Sequence, residues 1–163
     1  LAFARAGDWT RAGQQVERLR RMPPGKASGQ WSTLGVALLE AELAIVKGDL
    51  DAAVRLMGPA IADLHTMGGG SREQKDIFRD VFMEIHRRLG RVERVIELAQ
   101  ERLLANPYHV QSLSALAWAY EKNGNAALHR QACRQLVLRA EEVGLAPVAP
   151  ELVAARRVLE VAV

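Results

Sequence analysis

Four histidines and a single cysteine are the residues of this 163-residue chain best suited to metal or nucleophilic chemistry. Of these, His129 and Cys133 are four apart, a spacing that on a helix would set two metal ligands side by side. A tetrahedral site needs a second pair, and none is placed to complete it, so Cys133 reads as a small core residue. His65, His86 and His109 fall in separate segments, and neither HExxH nor GxSxG occurs. Met67-Gly68-Gly69-Gly70-Ser71 precedes a helical pattern and could offer free N–H groups to an anion. It lacks the spacing and lysine of a phosphate loop, and no strand precedes it, so it reads as a connection between repeats. Asp76, Asp80 and Glu84 follow at i, i+4 and i+8, three carboxylates on one helix face that repel by about a few tenths of a kcal/mol per pair. Arg72, Arg87 and Arg88 are close enough in sequence to offset them, which is how a solvated, self-neutralised face is built. No catalytic, cofactor or metal site emerges, and the chain reads as a binding protein rather than an enzyme.

Composition supports an ordinary globular domain: 49% hydrophobic and 25% charged residues, with aromatics at only 5%. Ala, Leu, Val, Arg and Glu dominate, a mixture weighted toward residues that lose little freedom in a helix. One cysteine excludes an internal disulfide. No stretch of about eighteen apolar residues is present to span a membrane, and no signal peptide is recognisable, so the expected location is cytoplasmic. The net charge of +3 hides a local bias. In the first thirty residues Arg5, Arg11, Arg18, Arg20, Arg21 and Lys26 face only Asp8 and Glu17. Arg11, Arg18 and Arg21 share a helix face that could follow phosphates. Such strips are more often solvated outer faces, and nucleic acid is not the expected partner.

The elements that would position these residues are repeated. A short turn recurs between apolar-periodic segments at Ala6-Gly7-Asp8-Trp9, Lys47-Gly48-Asp49-Leu50, Leu89-Gly90-Arg91-Val92 and Asn123-Gly124-Asn125-Ala126, its glycines roughly 34 to 42 residues apart. Each glycine can end one helix, and the Asp or Asn after three of them can cap the next. The flanking stripes carry the helical period. They are Leu34, Leu38, Ala41 and Ile45; Ala53, Met57, Ala60, Ile61 and Leu64; Ile77, Val81, Ile85 and Leu89; Val92, Val95, Ile96, Ala99 and Leu103; and Leu113, Leu116, Ala117 and Tyr120. Ser71 with Gln74 reads as a capping box, Asn106-Pro107 as a cap before an N1 proline, and Gly144 as the stop of the helix that begins near Asn125. Pro150 opens a last helix expected to close the end of the stack. The longer connections, 22–30 and 66–70, hold the Pro, Gly and Ser that punctuate structure.

With these residues in place the chain resembles the tetratricopeptide repeat (TPR) superfamily over nearly its whole length. Leu116 through Asn125 resembles the family's first helix running into its turn, and Val95 through Pro107 its second helix with the closing proline. Gly48 through Ala53 and Gly7 through Ala12 match the turn and the small residue after it. The resemblance implies an all-α fold, a right-handed α-solenoid of about four antiparallel helix hairpins in one domain. The hairpins fall at about 1–22, 31–66, 71–105 and 107–143, with a capping helix at about 150–161. Only Leu1 to Ala6 would remain of the first leading helix, so the native protein is expected to extend further. More narrowly, residues from about 1 to 104 resemble the C-terminal part of the tetratricopeptide repeat protein thirty-eight type, through Gly69-Gly70-Ser71 followed by Gln74-Lys75-Asp76-Ile77-Phe78. Glu141 to Leu159 is similar to the end of the bacterial transcriptional activator domain, which makes a regulatory module behind a separate DNA-binding part the alternative reading.

The TPR resemblance implies that the first helix of each pair lines a concave groove. That maps the groove to Leu38 and Glu42, then Asp80, Glu84, Arg87 and Arg88, then Gln111, Ser114, Trp118 and Lys122. Trp118 is the expected anchor, since aromatics carry disproportionate binding energy. The Lys and Asn pattern by which some TPR domains clamp a C-terminal carboxylate is missing, and Glu42, Asp80 and Glu84 would repel such a terminus. The expectation is a protein–protein interaction or scaffold module holding a peptide or partner domain, with no cofactor.

Overall fold

The computed structural model describes residues 2–23, 30–67, 71–145 and 148–160. Residues 24–29 and 68–70 of the expected connections, Lys26 of the N-terminal basic bias, the Gln74 side chain of the capping box and the end of the capping helix at 161 lie outside the described residues. Nine α-helices occur among the described residues: α1 (Ala2–Arg5), α2 (Trp9–Arg20), α3 (Val36–Lys47), α4 (Leu50–Ala62), α5 (Arg72–Arg88), α6 (Val92–Ala105), α7 (Val110–Lys122), α8 (Ala126–Glu142) and α9 (Pro150–Glu160). A π-helical turn, Trp31–Gly35, leads into α3, and a 3-10 turn, Leu64–Thr66, follows α4. The chain divides into two compact units, Leu1–Ile85 and His86–Val163.

Each hairpin turn has one physical design. Gly48 takes φ 82°, and its N–H donates to the Ile45 carbonyl while that of Asp49 donates to Ala44. These two bonds form a Schellman motif, which needs a left-handed residue at the glycine position. Asp49 then serves both helices, because its Oδ1 accepts the Ala52 N–H at 2.9 Å and caps α4. Using one residue to finish one helix and start the next makes the connection only two residues long. Gly7-Asp8 and Gly124-Asn125 repeat it, with Asp8 capping Arg11 and Asn125 capping Leu128. At Gly90-Arg91 the backbone bonds persist without a side-chain cap. No atom lies within 4 Å of a Cβ built on Gly48. Gly48→Ala should therefore cost backbone strain alone, about 1 kcal/mol or more. Asp49→Ala should cost about 1 kcal/mol through the lost cap. Thermal denaturation of the two single variants measures both.

In the first unit α3 lies against α4 and α2 against α3. Ala41, Ala53, Met57 and Ala60 are fully buried there, the small side chains letting backbones approach. Phe82 of α5 reaches α4, its ring 3.8 Å from where a Cβ on Gly58 would stand. Two sequence expectations are corrected in this unit. Leu38, placed on an apolar stripe and also mapped to the open groove, is 2% exposed and belongs to the core alone; Ile77, mapped to the core stripe, is 59% exposed. Ile85 of the same stripe is buried as expected, and Phe82 and Met83, outside the stripe, complete the buried face near the end of α5.

In the second unit α7 packs on both α6 and α8, and α8 on α9. Ala119 and Ala140 have no exposed surface, and Leu136 and Leu152 have almost none. A third correction lies here. Asn106 does not cap α7. It is the C-terminal cap of α6, in extended backbone, and its side chain accepts the Tyr108 N–H at 3.0 Å. His109 caps α7, its Nδ1 placed 3.3 Å from the Ser112 N–H and 2.8 Å from Ser112 Oγ. Gly144 with φ 70° ends α8, and Pro150 opens α9, as the sequence indicates.

Candidate functional site

The expected groove residues divide between the two units. Glu42 on α3 and Asp80 on α5 are half-buried, and Glu84 is exposed; all three lie in the first unit. The carboxylate ladder of α5 is partly neutralised from within, because Asp76 pairs with Arg79 at 3.0 Å. Two of the three arginines of the basic strip of α2, Arg11 and Arg21, are likewise engaged. Arg11 pairs with Asp8 at 3.3 Å and Arg21 with Glu17 at 3.7 Å, while Arg20 bridges Glu17 and Glu40. Phosphates would have to compete with these pairs.

The second unit contains a cleft of about 200 Å³. From α7, Ser114, Ala117, Trp118 and Glu121 line it, spaced at i, i+3, i+4 and i+7 so that one helix face turns inward. Arg87, from the end of α5, lines it as well, its guanidinium 5.9 Å from the centre of the half-buried Trp118 ring. His129, Cys133 and Leu136 of α8 form the floor. Glu151, Ala154, Ala155 and Val158 of α9 complete it, again at i, i+3, i+4 and i+7. The cleft thus gathers Arg87, Ser114 and Trp118 of the expected groove. Arg88, Gln111 and Lys122 are exposed on the same unit outside the cleft lining. Sequence reasoning missed Glu121 and the whole contribution of α9, which it treated only as a closure. The spacing of Glu151, Ala155 and Val158 was the available signal, since it repeats that of the α7 face.

Two titratable groups stand out. His86 is 5% exposed; burial, with the charges of Arg91 and Arg94, lowers its pKa to about 4. It is therefore a neutral imidazole at pH 7. Cys133 is equally buried, and desolvation, joined by the nearby Glu121 carboxylate, pushes its thiol up. A thiol held protonated is a poor nucleophile and a poor metal ligand. Among the described residues no three His, Cys, Asp or Glu side chains cluster as metal ligands would. No helix among them is long and apolar enough to cross a membrane. The cleft offers an aromatic face, apolar walls and charged groups, which suits recognition of a side chain.

No protein-family model and no curated protein matches the chain. Among solved structures it is similar to "MamA MSR-1 C2", a TPR-containing protein, with a TM-score of 0.53 and 16% sequence identity over 99% of this chain and 93% of that one. That likeness, with nine helices and no strand among the described residues, gives the fold: all-α, of the solenoid class built from TPR-like helix hairpins.

Proposed function

We propose that this chain is a protein-interaction module that holds a segment of a partner in the cleft formed by α7, α8 and α9, without catalysing a reaction. The observation that carries the reading is Trp118, half-buried with Arg87 near its ring and an open apolar cleft beside it. Tryptophan and arginine recur at the energetic centre of interfaces, because a large ring in a partly desolvated pocket gains most from being covered. Glu42, Asp80 and Glu84 of the first unit, and Arg88, Gln111 and Lys122 of the second, are proposed as polar partner-facing positions, supplying specificity more than affinity. One continuous domain and a cytoplasmic location belong to the same proposal. The narrower likeness of about residues 1–104 to the thirty-eight type brings no activity with it and leaves the reading unchanged.

Affinity capture from lysate tests it, with the wild-type chain beside Trp118→Ala matched for thermal stability. The expected result is a partner retained by the wild type and weakened by roughly thirtyfold or more in the variant, the effect of removing a hot-spot aromatic. Equal capture by the two proteins would remove the cleft from consideration as the working surface.

A further inference from the structure

Resting on that reading, we infer that the cleft of the second unit receives a basic side chain, so that the partner segment is one presenting arginine or lysine. The walls are the Trp118 ring, Ala117, Leu136, Ala154 and Val158. Such walls suit the aliphatic stem of a long basic residue, which buries its methylenes and keeps its charged head toward water. A space of about 200 Å³ accommodates one such side chain and not an element of secondary structure.

The charges at the cleft decide between occupants. Glu121 and Glu151 both line it, both are exposed, and neither has an ion-pair partner among the described residues. The cation at the cleft, Arg87, already lies near the ring of Trp118. Two carboxylates against one guanidinium leave the lining with an excess of negative charge, and the electrostatic demand is for positive charge. The negative field also reaches inward, since Glu121 contributes to raising the Cys133 thiol on the floor. An acidic side chain would meet two carboxylates of its own sign. A leucine would fit the walls yet partly dehydrate Glu121 and Glu151 with nothing to compensate them. An arginine or lysine covers the same apolar surface and supplies the counter-charge, in an interaction that weakens with salt.

The test uses four capped five-residue peptides, each with a central arginine, lysine, leucine or glutamate flanked by alanines. They are titrated into the ¹⁵N-labelled chain while the indole N–H resonance of Trp118, assigned with Trp118→Phe, is followed. The arginine and lysine peptides should shift that resonance saturably and bind about tenfold more tightly than the other two, with affinity falling as salt rises. Replacing both carboxylates, Glu121→Gln with Glu151→Gln, should weaken the basic peptides by roughly tenfold; both positions are exposed, so folding is preserved. A leucine peptide that binds as well as the arginine peptide, or basic peptides indifferent to the double substitution, overturns the assignment of a basic ligand and leaves the cleft as an interaction surface. If none of the four peptides moves the resonance, the assignment also fails, and the dependence of partner capture on Trp118 then decides the broader reading separately.

Discussion

Replacing Leu38 with alanine is expected to destabilise the protein by about 3 kcal/mol, while Ile77→Ala stays within about 0.5 kcal/mol of the wild type. The sequence pattern puts both residues on apolar stripes, and the TPR resemblance maps Leu38 to the open groove as well, so neither reading separates them this way. Leu38 is 2% exposed on α3, the helix that packs against α4. Its truncation removes buried methyl groups and leaves a hole in a core whose members, Met57 and Ala53 among them, are already fully buried. Both the transfer term and the cavity term then apply. Ile77 is 59% exposed and loses little by truncation. Urea unfolding of the two single variants beside the wild type reads the difference as a shift in midpoint. A Leu38→Ala protein as stable as its parent would return that side chain to the open surface and undo the packing described for α3.

Stability is also expected to fall as the pH drops from about 6.5 toward 4, by up to about 3 kcal/mol, and His86 is the cause. In the fold the His86 pKa is lowered to about 4, first by burial and then by Arg91 and Arg94, against 6.5 for an unhindered imidazole. Between those values the unfolded chain binds a proton that the folded chain refuses. Stability is therefore complete above about 6.5, declines through the interval and is fully lost to this group below about 4. His86→Leu keeps the volume and removes the titration, so its stability should change much less between pH 7 and pH 5. Carboxylates titrate mostly below that range, which keeps the comparison clean. Equal slopes for the two proteins over pH 7 to 5 would show that His86 accepts its proton in the folded state.

The features of this protein that depend on near neighbours in the chain are legible in its sequence. A glycine followed by Asp or Asn specifies a left-handed stop and a cap within two residues, and Gly48-Asp49 and Gly124-Asn125 adopt it. The helical period of the apolar residues and the absence of strand signals led to an all-α class, which the structure shares. Pro150 opened its helix because a proline loses nothing at a first turn. Tertiary structure decided what depends on residues distant in the chain. The α7 start is one such case: Asn106-Pro107 satisfies the local rule for a cap, yet Asn106 ends α6 and His109 takes the capping role. Leu38 and Ile77 are another, since a stripe defines a face but only the neighbouring helix determines how far along it burial extends. The cleft is the clearest. Arg87, Trp118, His129 and Glu151 come from four helices spread across more than sixty positions. Each is unremarkable where it stands in the sequence. Their meeting is fixed by how α7, α8 and α9 pack, through buried contacts at Ala119, Leu136, Ala140 and Leu152. Periodicity within a single helix carries no information about which other helix its face will meet.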